Sequence, residues 1–360
     1  MRKTRDTKSR NIFEEVATAA PEARPLVKPG VIDRSARQGA RGPVRLWLLA
    51  IFLTLAVMVI ADGVVRVTGI VPEPPATTQG AGLWMIGAAH AQTATAPVQG
   101  SGWWGWGRWA LTGLAGLTWL GGYLAFLISK KMPKGWAGRL IWPGALILGL
   151  VGSSIGLPYL PEPFGGSGLR SMVQSGLGFA TLGVLAWFMF KLGRPEADLI
   201  QARRARDGKA FGMATGMMHF AFLQILFGAL LGGLDAGRGF TDWPLMGGGV
   251  FPQGMFATNM LDNPGLVQFI HRLLGYLLLI FGIVAWLRGR RSVHKSVRWA
   301  FHWMAVMLFG QIVLGVGTVL YAAQWHIALT HQIGAVLLWG LILRARFLSQ
   351  YPVQQSTIRG

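Results

Sequence analysis

Eight stretches of about 20 mostly apolar residues dominate the chain, and each is long enough to cross the hydrocarbon core of a bilayer as a single helix. They fall at roughly 46–65, 109–128, 140–157, 172–191, 212–233, 267–287, 301–321 and 326–343. With 52% hydrophobic and only 13% charged residues and a mean hydropathy of +0.43, these segments have the bilayer rather than water as their solvent. In lipid every backbone N–H and C=O must be satisfied internally, which helices achieve one segment at a time. The pattern therefore predicts an all-α integral membrane protein with eight transmembrane helices and both termini on one side.

A net charge of +20 invites a nucleic-acid reading, but its distribution points to topology. Of 34 Lys and Arg, 29 lie before the first span, in 130–139, in 191–209, in 288–298 or from Arg344 onward. Those segments all fall on one side, which the positive-inside rule makes cytoplasmic. The expected location is the cell inner membrane, multi-pass, with both termini cytoplasmic. The basic N-terminal tail can also touch anionic membrane lipid, and no nucleic-acid partner is expected. The other five cations, Arg66, Arg108, Arg170, Arg238 and Arg272, fall on the external side or just inside the membrane. Cysteine is absent, which excludes disulfides, thiolate metal sites and cysteine nucleophiles. Ala89-His90-Ala91-Gln92 has the look of a small-residue cleavage site but is read as an external loop, because cleavage there would detach the first span.

The organisation expected is a basic cytoplasmic tail over 1–44 with no apolar period, disordered by composition, then an N-terminal four-helix half over 45–192. A cytoplasmic linker over 193–211 leads to a C-terminal four-helix half over 212–345, and a cytoplasmic tail over 346–360 follows. The halves look like two copies of one unit, each with a long external loop after its first span and a basic loop between its second and third. Superposing Ile128-Ser-Lys-Lys on Leu287-Arg-Gly-Arg-Arg gives an offset near 160 residues and pairs Gly116 with Gly275. The expectation is two pseudo-repeated four-helix bundles.

Polar residues inside spans are costly unless paired or functional. Of seven histidines, His90 lies in the external loop, His294 in a basic loop, and His302 and His326 near span ends. His219 lies within span five, where a helix-to-helix hydrogen bond is its expected role. His271 and His331 stand apart, each one to two turns below the external end of its span, roughly 7–10 Å deep. Two imidazoles at one depth can clamp one flat ring, and two such axial ligands leave heme iron no open position, which favours electron transfer over oxygen binding. Arg272 lies near the external boundary, suited to a heme propionate. Gly275 and Gly334 would leave room for a porphyrin edge. Spacing alone leaves open two unrelated histidines bonded to Ser, Thr or backbone.

Leu266-Val-Gln-Phe-Ile-His271-Arg-Leu-Leu-Gly-Tyr276, Leu329-Thr-His331-Gln-Ile-Gly-Ala-Val-Leu-Leu338, Leu234-Asp-Ala-Gly237 and Trp243-Pro-Leu-Met-Gly-Gly248 together resemble the heme A synthase family, closely over roughly 220–345. Gly63-Val-Val-Arg-Val-Thr-Gly69 and Lys131-Met-Pro-Lys-Gly-Trp-Ala-Gly-Arg139 resemble its N-terminal half. The resemblance implies eight spans in two four-helix halves, a resident heme b on His271 and His331, and oxidation of a methyl group of heme O to the formyl group of heme A for terminal oxidase assembly. It also implies heme O synthase (protoheme farnesyltransferase) as a partner and an unnamed electron acceptor.

The family carries a second histidine pair in spans two and four, with a glutamate three residues before the first. Here the repeat offset sets Thr112 and Gln174 in those places and Trp109 in the glutamate's. Neither Thr nor Gln is a normal heme-iron ligand, and Trp accepts no proton. Three explanations stand: substrate held without histidine ligation, with Arg108 or Arg170 on its propionates; a shifted alignment; or lost catalysis, leaving a non-catalytic heme-b electron conduit or partner of heme O synthase. Asp62, Glu73 and Glu162 are the carboxylates in or beside these spans, expected to be solvated. The catalytic residues stay unassigned. Secondary transport, suggested by the repeats, is disfavoured by so few membrane carboxylates.

Overall fold

The computed structural model describes residues 41–68, 103–161 and 166–353. The 1–40 tail, Glu73, the 89–92 segment, Glu162, residues 354–360 and the side chains of Arg66 and Arg108 lie outside the described residues. Nine helices are described: α1 (Arg41–Thr68), α2 (Trp103–Ile128), α3 (Ala137–Gly156), α4 (Ser167–Leu192), α5 (Glu196–Arg204), α6 (Gly208–Gly233), α7 (Pro264–Gly289), α8 (Lys295–Leu320) and α9 (Trp325–Gln350). All but the short α5 are long and apolar enough to span a membrane. Among the described residues no β-strand forms, only a lone bridge between Met246 and Gly249.

Several helices outrun their apolar stretches. The apolar run of the last span stops near 343, yet α9 continues to Gln350. Its extra turns are paid for locally by Arg346, whose guanidinium lies 4.7 Å from the Trp187 ring centre and 4.8 Å from that of Phe211. Arg346 Nε also donates to Thr215 Oγ1 at 3.1 Å, so the charge leaves water onto aromatic faces and a hydroxyl. Between α4 and α6 the basic loop forms α5, which begins after Pro195 with Glu196 and Asp198 in its first turn and ends on Arg203 and Arg204. That order of charge complements the helix dipole.

α1, α4, α6 and α9 pack on one another through the middle, α2 and α3 flank one side, and α7 and α8 flank the other. α4 has 61% of its most apolar window buried inside the protein and α2 only 11%, which separates the centre from the lipid-facing rim. Lipid supplies no hydrophobic drive between helices, so close packing and hydrogen bonds must join them. Tryptophan does both here. Trp47 Nε1 donates to Thr118 O at 2.7 Å across α1 and α2, Trp119 Nε1 to Leu140 O at 3.0 Å across α2 and α3, and Trp339 Nε1 to Phe179 O at 3.0 Å across α9 and α4. The Trp47 and Trp119 rings lie directly on Gly122 and Gly144, where any Cβ would displace them.

On the face where α1 begins and α9 ends, Asp207 caps α6 by accepting the Ala210 N–H at 3.0 Å, and its own N–H donates to Ser349 O at 3.0 Å. Arg288 lies 3.8 Å from the carboxylate. Burial opposes ionisation of Asp207, but the Ala210 N–H, the Ser292 hydroxyl and Arg288 outweigh it and hold the carboxyl below its ordinary value. A depressed carboxyl contributes stability above its unfolded pKa and loses it as pH falls through the folded one. Asp207→Ala is expected to cost about 1 kcal/mol at neutral pH. Thermal unfolding in detergent measures this, and the gap between variant and wild type should close as pH falls below about 4.

Candidate functional site

α6, α7, α8 and α9 enclose a cavity of about 260 Å³, close to the ~300 Å³ lower end for organic-ligand pockets. Gly63 of α1 with Ser175 and Phe179 of α4 complete its wall. His271 and His331 both line it, seven residues into α7 and six into α9, so their backbones sit roughly 9–11 Å along those helices from their starts. The structure thus brings the two expected ligands to one space.

Facing helices shape that space around the imidazoles. A Cβ at Gly228 of α6 would lie 2.9 Å from His271 Cε1, and one at Gly315 of α8 would lie 3.4 Å from His331 Cε1. Four residues before each glycine stands a glutamine. Gln224 Nε2 donates to His271 O at 3.0 Å and lies 3.3 Å from His271 Nε2. Gln311 Nε2 donates to His331 O at 3.0 Å. Both histidine Nδ1 atoms and both glutamine Oε1 atoms are buried without a hydrogen-bond partner. These glutamines escaped the sequence-based expectations, although a signal was there: Phe222-Leu-Gln224-Ile-Leu-Phe-Gly228 and Phe309-Gly-Gln311-Ile-Val-Leu-Gly315 share one spacing. The close contact that each of Gly228 and Gly315 makes is with a histidine ring.

Two expectations need correction. Gly275 lines the cavity, a Cβ there meeting Gln224 Nε2 only at 3.4 Å, but Gly334 does not open onto free space: a Cβ there would lie 2.6 Å from Gln311 Oε1, so that amide fills the room. His219 makes no helix-to-helix bond and is exposed on the outer face of α6, because that helix turns Met217 and Ala221 inward instead. His294 Nε2 lies 2.8 Å from Ala205 O, His302 packs edge-on to Trp299 and Trp303, and His326 sits beside Trp325.

Arg272 lines the cavity next to His271, and its guanidinium gathers the loop between α6 and α7. Its NH1 donates to Asp242 O and Leu245 O, each at 3.0 Å, and its NH2 to Phe240 O at 2.8 Å. Gln268 Nε2 reaches the same Phe240 O at 2.9 Å, and Trp243 Nε1 donates to Tyr276 OH at 2.8 Å. Irregular backbone at the edge of the bilayer needs such donors. The Asp242 carboxylate accepts the Gly247 and Gly248 N–H groups at 2.9 and 3.0 Å. Both glycines have positive φ, +65° and +78°, which a side chain would strain.

In the N-terminal half, Thr112 and Gln174 also converge. With Asp62, Trp109, Ser154 and Ser175 they line a space of about 10 Å³ at the centre of α1 to α4, room for one water at most. Gln174 Nε2 donates to Ser154 Oγ at 3.4 Å. Asp62 is only 6% exposed, so it is not the solvated carboxylate expected; among the described residues it is the one buried carboxylate.

The donor set in the larger cavity fits a heme. Among the described residues no cluster of three His, Asp or Glu could hold a bare metal ion, whereas a porphyrin brings its own equatorial nitrogens and asks the protein for axial ligands alone. Residues 85–343 match the family described as cytochrome oxidase assembly protein, COX15-CtaA. The chain belongs to that family. It is 45% identical to the heme A synthase of Ruegeria sp. (strain TM1040), a likeness covering 97% of this chain and 98% of the relative. The heme A synthases of Ruegeria pomeroyi and Dinoroseobacter shibae are each 43% identical over 98% of this chain and 99% of their own. The likeness therefore runs through both halves.

The bonds from Gly248 and Gly247 hold Asp242 below the ordinary carboxylate value. The loop over 240–249 is expected to keep its order through mildly acidic pH and lose it only as pH falls through that lowered value. Amide exchange followed by mass spectrometry checks this, with Asp242→Ala exchanging fast at every pH.

Proposed function

We propose that the chain is a heme A synthase, an oxidoreductase acting on a CH group that converts the methyl group of heme O to the formyl group of heme A for terminal oxidase assembly. The observation that carries the heme reading is the pair His271 and His331 on the wall of one largely apolar cavity, each ring seated against a glycine. His271 and His331 would hold the iron of one resident heme b through their side-chain nitrogens. When bound, that group supplies one-electron transfer, since two histidines leave no position for oxygen. Arg272 lines the cavity and would place positive charge there for a propionate, whereas the Arg238 charge is offset by Asp235 at 3.5 Å. Arg272 also holds the α6–α7 loop, so the same residue shuts out water at that end.

Heme O as substrate and heme A as product belong to the N-terminal half in this reading, where Thr112 and Gln174 stand in the places of a histidine pair, with Asp62 beside them. The near-complete coverage of relatives named heme A synthase supports catalysis by that half. The tightness of its central space, about 10 Å³, and its lack of histidine favour a second reading, a non-catalytic heme-b membrane protein that passes electrons or partners heme O synthase. The location proposed is the inner membrane with cytoplasmic termini, supported by the basic loops, with heme O delivered by heme O synthase and electrons leaving to an acceptor outside the chain.

Expression in a host that makes heme O, followed by pigment extraction, tests the enzyme: heme A should accumulate, and heme O without heme A would favour the second reading. Reduced-minus-oxidised spectra of the purified protein test the site. His271→Ala and His331→Ala should each lose the low-spin heme b signal, and its retention in both would refute the ligand assignment.

A further inference from the structure

We propose that the start of α1 and the ends of α4 and α9 form a binding site for the phosphodiester headgroup of an anionic membrane lipid, with Lys191 and Arg346 as its fixed cations. The site is separate from the histidine cavity, since Arg346 lies 15 residues beyond His331 along α9, roughly 22 Å of helix. Arg45, Lys191 and Arg344 stand at the ends of the apolar runs of their spans, and Arg41 and Arg346 follow within about one turn. These cations therefore share the level at which hydrocarbon gives way to lipid phosphates.

Topology asks only for positive charge on that side, which solvated side chains supply. These side chains are held in place instead. Arg346 is half-buried, its guanidinium 4.7 Å from the Trp187 ring centre and 4.8 Å from that of Phe211, with Nε on Thr215 Oγ1. Lys191 Nζ lies 5.8 Å from the same Trp187 ring centre, so two cations share one indole. Arg344 lies 5.5 Å from the Phe190 ring centre. Cations fixed beforehand lower the entropy cost of binding an anion. Charge balance points the same way. Helix carbonyls account for part of the cluster: Arg41 NH2 donates to Lys191 O at 3.3 Å and Arg194 NH1 to Tyr351 O at 2.7 Å. Among the described residues, however, no carboxylate lies within ion-pair distance of Lys191, Arg344 or Arg346. The charges of Arg139, Arg203 and Arg346 act on Lys191, against Glu196 alone. Arg346 makes its one hydrogen bond through Nε, and its two terminal nitrogens, a fork matched to the two free oxygens of a phosphodiester, make none among the described residues. Arg41 Nε is buried without a partner. A basic pocket between span ends on this side is the form that acidic-lipid sites take.

The test titrates phosphatidylglycerol onto the full-length protein in neutral detergent and counts bound lipid by native mass spectrometry, with phosphatidylcholine and inorganic phosphate as the other arms. Phosphatidylglycerol should bind saturably and in preference to both. Lys191→Gln, Arg344→Gln and Arg346→Gln should each weaken it about 5-fold or more, the worth of one cation beside a lipid headgroup. Arg346→Lys keeps the charge but loses the fork, and should fall between wild type and Arg346→Gln. Arg291→Gln removes one exposed charge just past the end of α7 and should change affinity less than about 2-fold. Should Arg346→Gln fail to fold by gel filtration, the Lys191 and Arg344 variants decide. An equal loss in Arg291→Gln would reduce the cluster to general basic charge and overturn the site, as would phosphatidylcholine binding with the same affinity. Inorganic phosphate binding as tightly as phosphatidylglycerol would overturn the lipid assignment and leave a site for free phosphate.

Discussion

Inside a bilayer no water waits to satisfy a polar group, so every N–H and C=O must find its partner within the protein. Most of what is specific in this structure answers that demand. Indole N–H groups of Trp47, Trp119 and Trp339 bolt neighbouring spans through backbone carbonyls. Arg272 and Gln268 absorb the loose carbonyls of the α6–α7 loop, and Gln224, Gln311 and Gln332 place amides on the carbonyls of His271, His331 and Val59. Of the buried side-chain atoms left without a partner among the described residues, six belong to cavity-lining residues, Gln224, Gln268, His271, Arg272, Gln311 and His331, and two to Arg41 and Arg288 elsewhere. Their concentration around one cavity is informative, since each buried polar group without a partner calls for an explanation.

The architecture was legible because it is written in long apolar runs, which report membrane spans with little ambiguity. His271 and His331 were legible for a related reason: helical rise converts residue count to depth, and both lie a similar count from their helix starts. What a helical period cannot report is which neighbour a residue meets. Gln224 and Gln311 read as isolated amides in apolar helices until α6 is laid on α7 and α8 on α9. Gly275 and Gly334 were both legible as places needing room, but not that Gly275 would face the cavity while the Gln311 amide takes the room at Gly334. The end of α9 was hidden differently, since Arg346 breaks the apolar pattern while its stacking on Trp187 and Phe211 keeps the helix going.

The two halves answer the same constraint in opposite ways. Around His271 and His331 glycines withdraw side-chain volume and a cavity remains. Around Thr112 and Gln174 short polar side chains from four helices meet and almost close the space, with Asp62 sealed among them. One half keeps a largely apolar cavity, and the other keeps a compact polar knot. The family match runs over residues 85–343 and so takes in α2 to α4 of the first half as well as the second.

The wall between them is thin. Gln332, next to His331, bonds Val59 O at 3.0 Å, and a Cβ at Gly63 would press on that glutamine at 2.9 Å. Gly63, Ser175 and Phe179 of the first half line the cavity of the second, while Ser175 and Asp62 line the polar knot. A four-helix unit cut away at the α5 loop would thus carry a cavity with one side open to lipid. What resembles a modular duplication in the sequence is, at the level of the cavity wall, one indivisible piece.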